Sequence, residues 1–307
     1  MTKTATVTIG IPAYNEQANI EHLLRSVLRQ KQNSFTLEHI VVISDGSKDK
    51  TVWSVRKIAA QSPIITLVDE RERKGKVARL EQLYQMNASD ILVTLDADVS
   101  LANKQVISEL VAVFARDQKA CLAVAHQVPV KPETTLGKIV YAGHRLWDEV
   151  RADLQRGNNI HNMYGAACAL RKDFAKSVHF PHAAMCDTGF LYVLAWQRNG
   201  FRYAKKAEVL YRVASSWQEY RTQSLRTMVV DKRVLVDHFG NWVKELYHVP
   251  VSNKVEALAK MLWRHPVSTS MTVALGAVMR LSLRKESAKR TSRWNPLAST
   301  KQPISRV

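Results

Sequence analysis

Five short runs of apolar, often β-branched residues recur through the first 130 positions: Thr6–Pro12, His39–Asp45, Pro63–Glu70, Asp90–Asp96 and Cys121–Val128. Between them lie longer stretches with apolar residues three and four apart, at 15–30, 51–61, 75–85 and 103–117. Period two alternating with period 3.6 predicts strand, helix, strand, and hence a mostly parallel sheet covered by helices on both faces. In such sheets ligands bind beyond the carboxyl ends of the strands. Three polar stretches fall at those ends: "IPAYNE" (11–16), "ISDGSKD" (43–49) and "LDADV" (95–99).

The third stretch ends a buried strand on two like charges, Asp96 and Asp98. Alone, the pair fits either a strand-terminating turn or a shared divalent cation, because hard cations take oxygen ligands. "IPAYNE" reads as a turn after Gly10 and Pro12, with Asn15 and Glu16 opening a helix. "ISDGSKDK" repeats that arrangement around Asp45, Gly46, Ser47 and Asp49. Two such turns on adjacent strand ends offer polar groups to a nucleoside. "ERERKGKVARL" sets Gly75 at a helix start between Arg73 and Lys76, where a pyrophosphate would meet free N–H groups and the positive end of the helix; a solvated basic turn fits the same residues.

Taken in this order and spacing, "IPAYNE", "VVISDGSKDKT", "ERKGKVARL" and "LVTLDADV" resemble the inverting family 2 glycosyltransferases of GT-A fold. The resemblance covers the first hundred residues densely. It implies an α/β, Rossmann-like catalytic domain, a nucleotide diphosphate sugar donor, and Mg²⁺ or Mn²⁺ at the aspartate pair. Pro12, Ala13, Tyr14, Glu16 and Asp45 would line the nucleoside, Arg73 and Lys76 flank base or phosphate, and Ala97 lie in the donor site. Asp98 would be the principal metal ligand, and Asp96 would contact the ribose or the metal.

Past residue 130 the resemblance thins. "YGAACALRKDF" is similar to the family's acceptor-side turn, with Gly165 and Ala166 toward the acceptor, followed by the basic pair Arg171 and Lys172. In "AAMCDTGFLYVL", Asp187 matches the family's general base, and Cys186 stands where Glu is usual. Gln223 and Arg226 match a QxxRW motif, Gln223 on the acceptor side and Arg226 toward the diphosphate, with Thr227 replacing its Trp. A solvated helix face accounts for Arg226 equally well. The missing Trp and the lack of several membrane-spanning helices speak against a polymer-synthase reading.

Residues 1–230 are therefore expected to form the catalytic domain, 1–130 its nucleotide-sugar half and 131–230 its acceptor half, with 231–307 a helical, basic extension. Lys and Arg total 45 against 27 Asp and Glu, a formal charge of +18 that favours anionic partners, and the tail from Arg280 onward is rich in Lys and Arg with Glu286 its only acid. The apolar stretch 265–283 is near the lower length for a bilayer span; an interfacial helix or a helix packed on the domain is expected ahead of a single span, and 264–307 is expected to meet an anionic membrane surface. Three cysteines without CxxC or zinc spacing, and an N-terminus without a basic-then-apolar leader, suggest a cytoplasmic protein, peripheral or single-pass at the membrane's cytoplasmic face. The resulting expectation is metal-dependent, inverting transfer of one sugar to an acceptor hydroxyl, on a lipid or another membrane-associated compound. Two other classes fit the sequence less well. A nucleotidyltransferase of GT-A-like fold would carry a Gly-rich phosphate loop, which "IPAYNEQANI" lacks. A nucleic-acid-binding protein would interleave its basic residues with exposed aromatics, which is not seen.

Overall fold

The computed structural model describes residues 4–152, 154–181, 187–227, 231–283 and 301–304. In chain order the elements are β1 (Ala5–Ala13), α1 (Ile20–Leu28), β2 (Phe35–Asp45), α2 (Thr51–Ala59), β3 (Ile65–Glu70), α3 (Lys76–Met86), β4 (Ile91–Leu95), β5 (Ser100–Leu101), α4 (Val106–Arg116), β6 (Leu122–Val130) and α5 (Thr135–Arg151). There follow β7 (Ala167–Arg171), α6 (Lys172–Ser177), α7 (Asp187–Gln197), β8 (Phe201–Arg212), α8 (Trp217–Leu225), α9 (Asp231–Phe239), α10 (Val243–Leu246), α11 (Val251–Arg264) and α12 (Pro266–Leu283). The strands form one sheet in the order β3-β2-β1-β4-β7-β6-β8-β5.

Strands β3, β2, β1 and β4 run parallel, as the alternating periods predict. Their side chains divide between two cores because alternate residues point to opposite faces. Val7, Ile9 and Ile11 of β1 join α1 residues Ile20, Leu23 and Val27 and α4 residues Leu110 and Phe114 on one face. Leu92 of β4 faces the other side, where Leu80 and Leu83 of α3 pack with Phe174 and Phe190. Gly10 makes room there: a Cβ would stand 2.9 Å from the Leu83 side chain, which would have to shift for α3 to lie this close to β1.

The sheet departs from the sequence reading beyond β4. The "ACALR" segment, read as part of a turn region, is β7, antiparallel to both β4 and β6. Its first residue, Ala167, lies beside Leu95 and its last, Arg171, beside Ile91. The turn 163–166 therefore meets the carboxyl end of β4. Arg171 and Lys172 lie at the far end of the sheet, where Arg171 donates to the Ala120 and Phe114 carbonyls and the Lys172 N–H bonds the Asp90 carbonyl. The expected basic pair is thus a brace of the opposite edge, a consequence of the reversed strand direction.

A second departure concerns "IPAYNE". Helix α1 begins only at Ile20, and Asn15 takes a left-handed backbone with φ of 53°. Asn15 and Glu16 belong to a tight turn, because their backbone N–H groups are claimed by Ser47 Oγ (3.1 Å) and Thr51 Oγ1 (2.7 Å) across the β2–α2 loop. After residue 231 the helices rest on the same body: Leu235 and Val243 are buried in the α3/α7 core, and Ala257 of α11 packs with Val150 of α5. Among the described residues no helix is long and apolar enough to cross a membrane.

Candidate active site

The carboxyl ends of β1, β2 and β4, the start of α3, the turn before β7 and the start of α7 converge. Two loops at this end are laced together. Besides the Asn15 and Glu16 contacts, Asn15 Oδ1 accepts the Lys48 N–H at 2.9 Å and Asp49 Oδ2 accepts the Gln17 N–H at 3.1 Å. The "IPAYNE" and "SDGSKDKT" stretches thus fold as one polar floor, built from side-chain-to-backbone bonds in place of a helical cap. Ala13 and Glu16 are buried within it, and Pro12 and Tyr14 are half-buried.

Asp45, expected to read a nucleoside, has its carboxylate occupied. Oδ1 accepts the Lys74 N–H (2.8 Å) and Arg79 Nε (2.7 Å), and Oδ2 accepts the Gly75 N–H (2.8 Å). Arg79, itself buried, also reaches Glu70 and the Glu72 carbonyl. This pair ties the β3–α3 loop to the end of β2 and sets the backbone of Gly75, whose φ of 96° favours glycine, at the N-terminus of α3. The sequence reading missed Arg79, although its position one turn after Lys76 on the inward side of α3 is its signature. Arg73 lies with its guanidinium 3.9 Å from the centre of the Tyr14 ring, a cation–π contact joining that loop to the floor.

Lys76 opens α3 and is the centre of the cluster. Its Nζ is 2.6 Å from Asp96 Oδ1 and 3.2 Å from Asp187 Oδ2. The Asp96 N–H donates to the Ala166 carbonyl at 2.9 Å, which fastens the turn before β7 to the end of β4. At Gly165 a Cβ would stand 3.1 Å from Lys76 Nζ and 3.2 Å from Asp187 Oδ2, so a side chain here would intrude on the ion triplet. Ala97 is buried and Asp98 half-buried beyond Asp96. Arg226 ends α8 with its charge felt by both Asp187 and Lys76. Gln223 lies one turn earlier, its carbonyl accepting the Arg226 N–H and the Thr227 hydroxyl. Arg226 therefore acts on the cluster through its charge, while Gln223 gives its carbonyl to the end of the helix. Cys186 lies outside the described residues.

The charges of the triplet set one another. Burial pushes Asp187 up, but Lys76 and Arg226, with hydrogen bonds from Lys76 and the Thr188 N–H, bring it below the usual carboxylate value. At neutral pH Asp187 is therefore an anion and a competent proton acceptor. Asp96 moves the other way: burial raises it, Lys76 opposes, and Asp98 and Asp187 add to the rise. Burial disfavours the charge on Lys76, yet Asp187 and Asp96 more than offset it and hold the ammonium protonated. Glu16 is lifted to about 7, by burial first, with Lys301 pulling it down and Asp98 pushing it up.

A model of the glycosyl transferase family 2 matches residues 8–178, more than half of the chain and all of the strand-end loops just described. The chain belongs to glycosyl transferase family 2. Its sequence relatives include a poly-beta-1,6-N-acetyl-D-glucosamine synthase of Staphylococcus aureus, 29% identical over 133 residues, which are 43% of this chain and 31% of that protein. A dolichyl-phosphate beta-glucosyltransferase of Trichomonas vaginalis is 34% identical over 98 residues, 30% of each chain. The matched region spans about a third of the length of these relatives. Among solved structures, a mannosyltransferase of Pyrobaculum calidifontis in complex with GDP-Man and Mn²⁺ aligns with a TM-score of 0.59 at 20% identity, over 91% of this chain and 81% of that one. The glucosyl-3-phosphoglycerate synthase of Mycobacterium tuberculosis, in complex with Mn²⁺, UDP and phosphoglyceric acid, aligns with a TM-score of 0.53 at 18% identity, over 76% and 78%. The likeness shows that this family 2 chain has the GT-A fold.

Proposed function

We propose that the chain is a metal-dependent, inverting glycosyltransferase that moves one sugar from a nucleotide diphosphate sugar to an acceptor hydroxyl. One observation carries this reading: a buried, ionised Asp187 faces Asp96 across Lys76 at the carboxyl end of a GT-A sheet. The donor set fits a hard divalent cation. Asp96 and Asp98, at the carboxyl end of β4, offer only carboxylate oxygen, the donor type that Mg²⁺ and Mn²⁺ prefer, and diphosphate oxygens and water would complete the set. Asp98 would be the main ligand and Asp96 would contact the metal or the ribose. The bound ion would offset charge on the departing diphosphate.

The chain's own groups supply the rest. The laced floor of Pro12, Ala13, Tyr14 and Glu16 would seat the nucleoside. Asp45 contributes by fixing the Arg73–Lys76 loop, and Arg73 and Lys76, with Arg226, would meet the base and phosphates. As Lys76 turns toward the diphosphate, Asp187 is released to take the proton of an acceptor hydroxyl held near Gly165, Ala166 and Gln223. The acceptor oxygen bonds the anomeric carbon while the phosphate oxygen leaves from the opposite side, which inverts the configuration.

The acceptor is assigned to a lipid or membrane-associated compound. Val267, Met271, Ala274, Val278 and Leu281 form an outward stripe along α12 at intervals of three and four, and Val251, Val255 and Leu262 are exposed on α11 four and then seven positions apart. Trp263 is 90% exposed. A groove of about 400 Å³ between α5 and α12, lined in part by Ile139, Pro266, Val267 and Met271, also contains Lys138 and His265. Apolar faces flanked by Lys254, Lys260, Arg264 and Arg280 match an anionic bilayer surface.

A panel of nucleotide sugars scored by thermal stabilisation in Mn²⁺ tests the donor half of this reading, since a bound ligand raises Tm by mass action. One diphosphate sugar is expected to stabilise the protein in Mn²⁺ and not in EDTA. Stabilisation by none of the panel would remove the reading.

A further inference from the structure

The described C-terminal segment, residues 301–304, lies against the donor floor rather than with α11 and α12. Lys301 Nζ donates to the Tyr14 carbonyl at 2.8 Å and pairs with Glu16 Oε1. At the other end, Arg212, the last residue of β8, donates Nε to the Gln302 carbonyl at 3.2 Å and its terminal nitrogen to the Pro303 carbonyl. Ile304 is buried. Four residues are thus held at two points, one of them the turn proposed to seat the nucleoside.

Glu16 makes this contact consequential. The residue is 5% exposed, and its second oxygen is taken by Asn19 Nδ2 at 3.0 Å. Its backbone N–H is fixed by Thr51 and its carbonyl accepts the Asn19 and Ile20 N–H groups, so the backbone of the turn is held at the residue that carries the buried carboxylate. The negative charge of Asp98 reaches it as well. Lys301 is the cation that pairs with Glu16 among the described residues. Without it, a carboxylate would be buried beside another carboxylate with no counter-ion, a state costly enough that the turn would rearrange or the acid would protonate. Either change reaches Tyr14, whose carbonyl Lys301 also holds and whose ring carries Arg73.

We propose that Lys301 is a positioning residue of the donor site, docking residues 301–304 as a strap and fixing the Tyr14–Glu16 turn in the shape that receives the nucleotide. The proposal rests on the donor-site reading above. It assigns Lys301 no contact with the reacting atoms; it acts through Glu16 and the Tyr14 carbonyl. A donor-binding defect on its loss should leave the chemical step intact.

The test uses the full chain and its Lys301→Met and Lys301→Arg variants, with two readouts. Amide hydrogen exchange of the 13–18 segment, measured without nucleotide, reports whether the strap holds the turn. Calorimetric binding of UDP and GDP in Mn²⁺, with KM and kcat in a transfer assay once a donor is known, reports whether the turn matters to the donor. Lys301→Met is expected to speed exchange of the turn and to weaken nucleotide binding by about tenfold, as suits loss of one charge-assisted hydrogen-bond pair. The KM should rise with kcat unchanged, and Lys301→Arg should restore both. Unaltered exchange in Lys301→Met would overturn the proposal. So would tighter nucleotide binding, which would make Lys301 a plug that the donor expels. Absence of nucleotide binding in the unsubstituted chain would instead count against the donor-site reading, while the exchange measurement still decides whether Lys301 fixes the turn.

Discussion

The two sides of the candidate site are built by different means. The donor side uses the ends of parallel strands, where consecutive loops emerge together and are laced by side-chain-to-backbone bonds among Asn15, Gln17, Ser47, Asp49 and Thr51. The acceptor side is assembled from the antiparallel β7, the first turn of α7 and the last turn of α8, and is joined to the donor side through ion pairs centred on Lys76. The contrast teaches that one side is held by many side-chain-to-backbone bonds, with the Asp45–Arg79 and Glu16–Lys301 ion pairs among them, and the other by a small cluster of charges centred on Lys76. Substitutions on the two sides should therefore fail differently.

The largest effect is expected from Asp98→Ala. Loss of the residue proposed as the main oxygen ligand should reduce transfer by roughly 10³-fold, equivalent to about 4 kcal/mol of transition-state stabilisation, and abolish the difference between Mn²⁺ and EDTA in donor binding. Initial rates and thermal shifts in both conditions check it. Unchanged metal dependence would move the cation elsewhere.

A smaller effect, on stability more than chemistry, is expected from Asp45→Ala. It takes the nearest carboxylate from the buried Arg79, which keeps Glu70 and the Glu72 carbonyl, and frees the Lys74 and Gly75 N–H groups, at a cost of about 3 kcal/mol, read as a fall in Tm. A variant with unaltered Tm would show that the β3–α3 loop is fixed by other contacts.

The smallest effect is a slope. Glu16 sits near 7 in the folded chain and at an ordinary carboxylate value when unfolded, so the folded state binds the extra proton. The stability this group contributes is full below its unfolded value and is lost as pH rises through about 7. Thermal melts of the ligand-free protein should therefore gain stability on going from pH 8 to pH 5, and Glu16→Gln should flatten that gain. An equal slope in the variant would place the titrating group elsewhere, Asp96 being the next candidate.

How far the sequence reaches follows the same divide. The four parallel strands and their loops were legible because a strand buried on both faces is a continuous apolar run, and its polar end is where ligands bind. Strand β7 was not, because its Ala, Cys and Ala are small residues packed inside the sheet and resemble a turn. Nor was β8, whose "AKKAE" interrupts the apolar alternation. Asp187 and Lys76 were both legible as functional residues, but their meeting depends on the reversal of β7 and on the turn at Gly165. The identity of Asp45 was evident and its target was not, since a carboxylate at a strand end serves a ligand or a neighbouring loop with the same residue. Lys301 lies 285 positions from Glu16, a separation that no local pattern bridges.

Asp187, as the base that receives the acceptor's proton, is the residue on which the proposed transfer depends most. Transfer by purified Asp187→Ala, measured on protein shown to bind its nucleotide sugar as the unsubstituted chain does, tests this most directly. A loss of about 10³-fold or more in kcat with donor binding retained is the predicted result. Full transfer activity in that variant would contradict it.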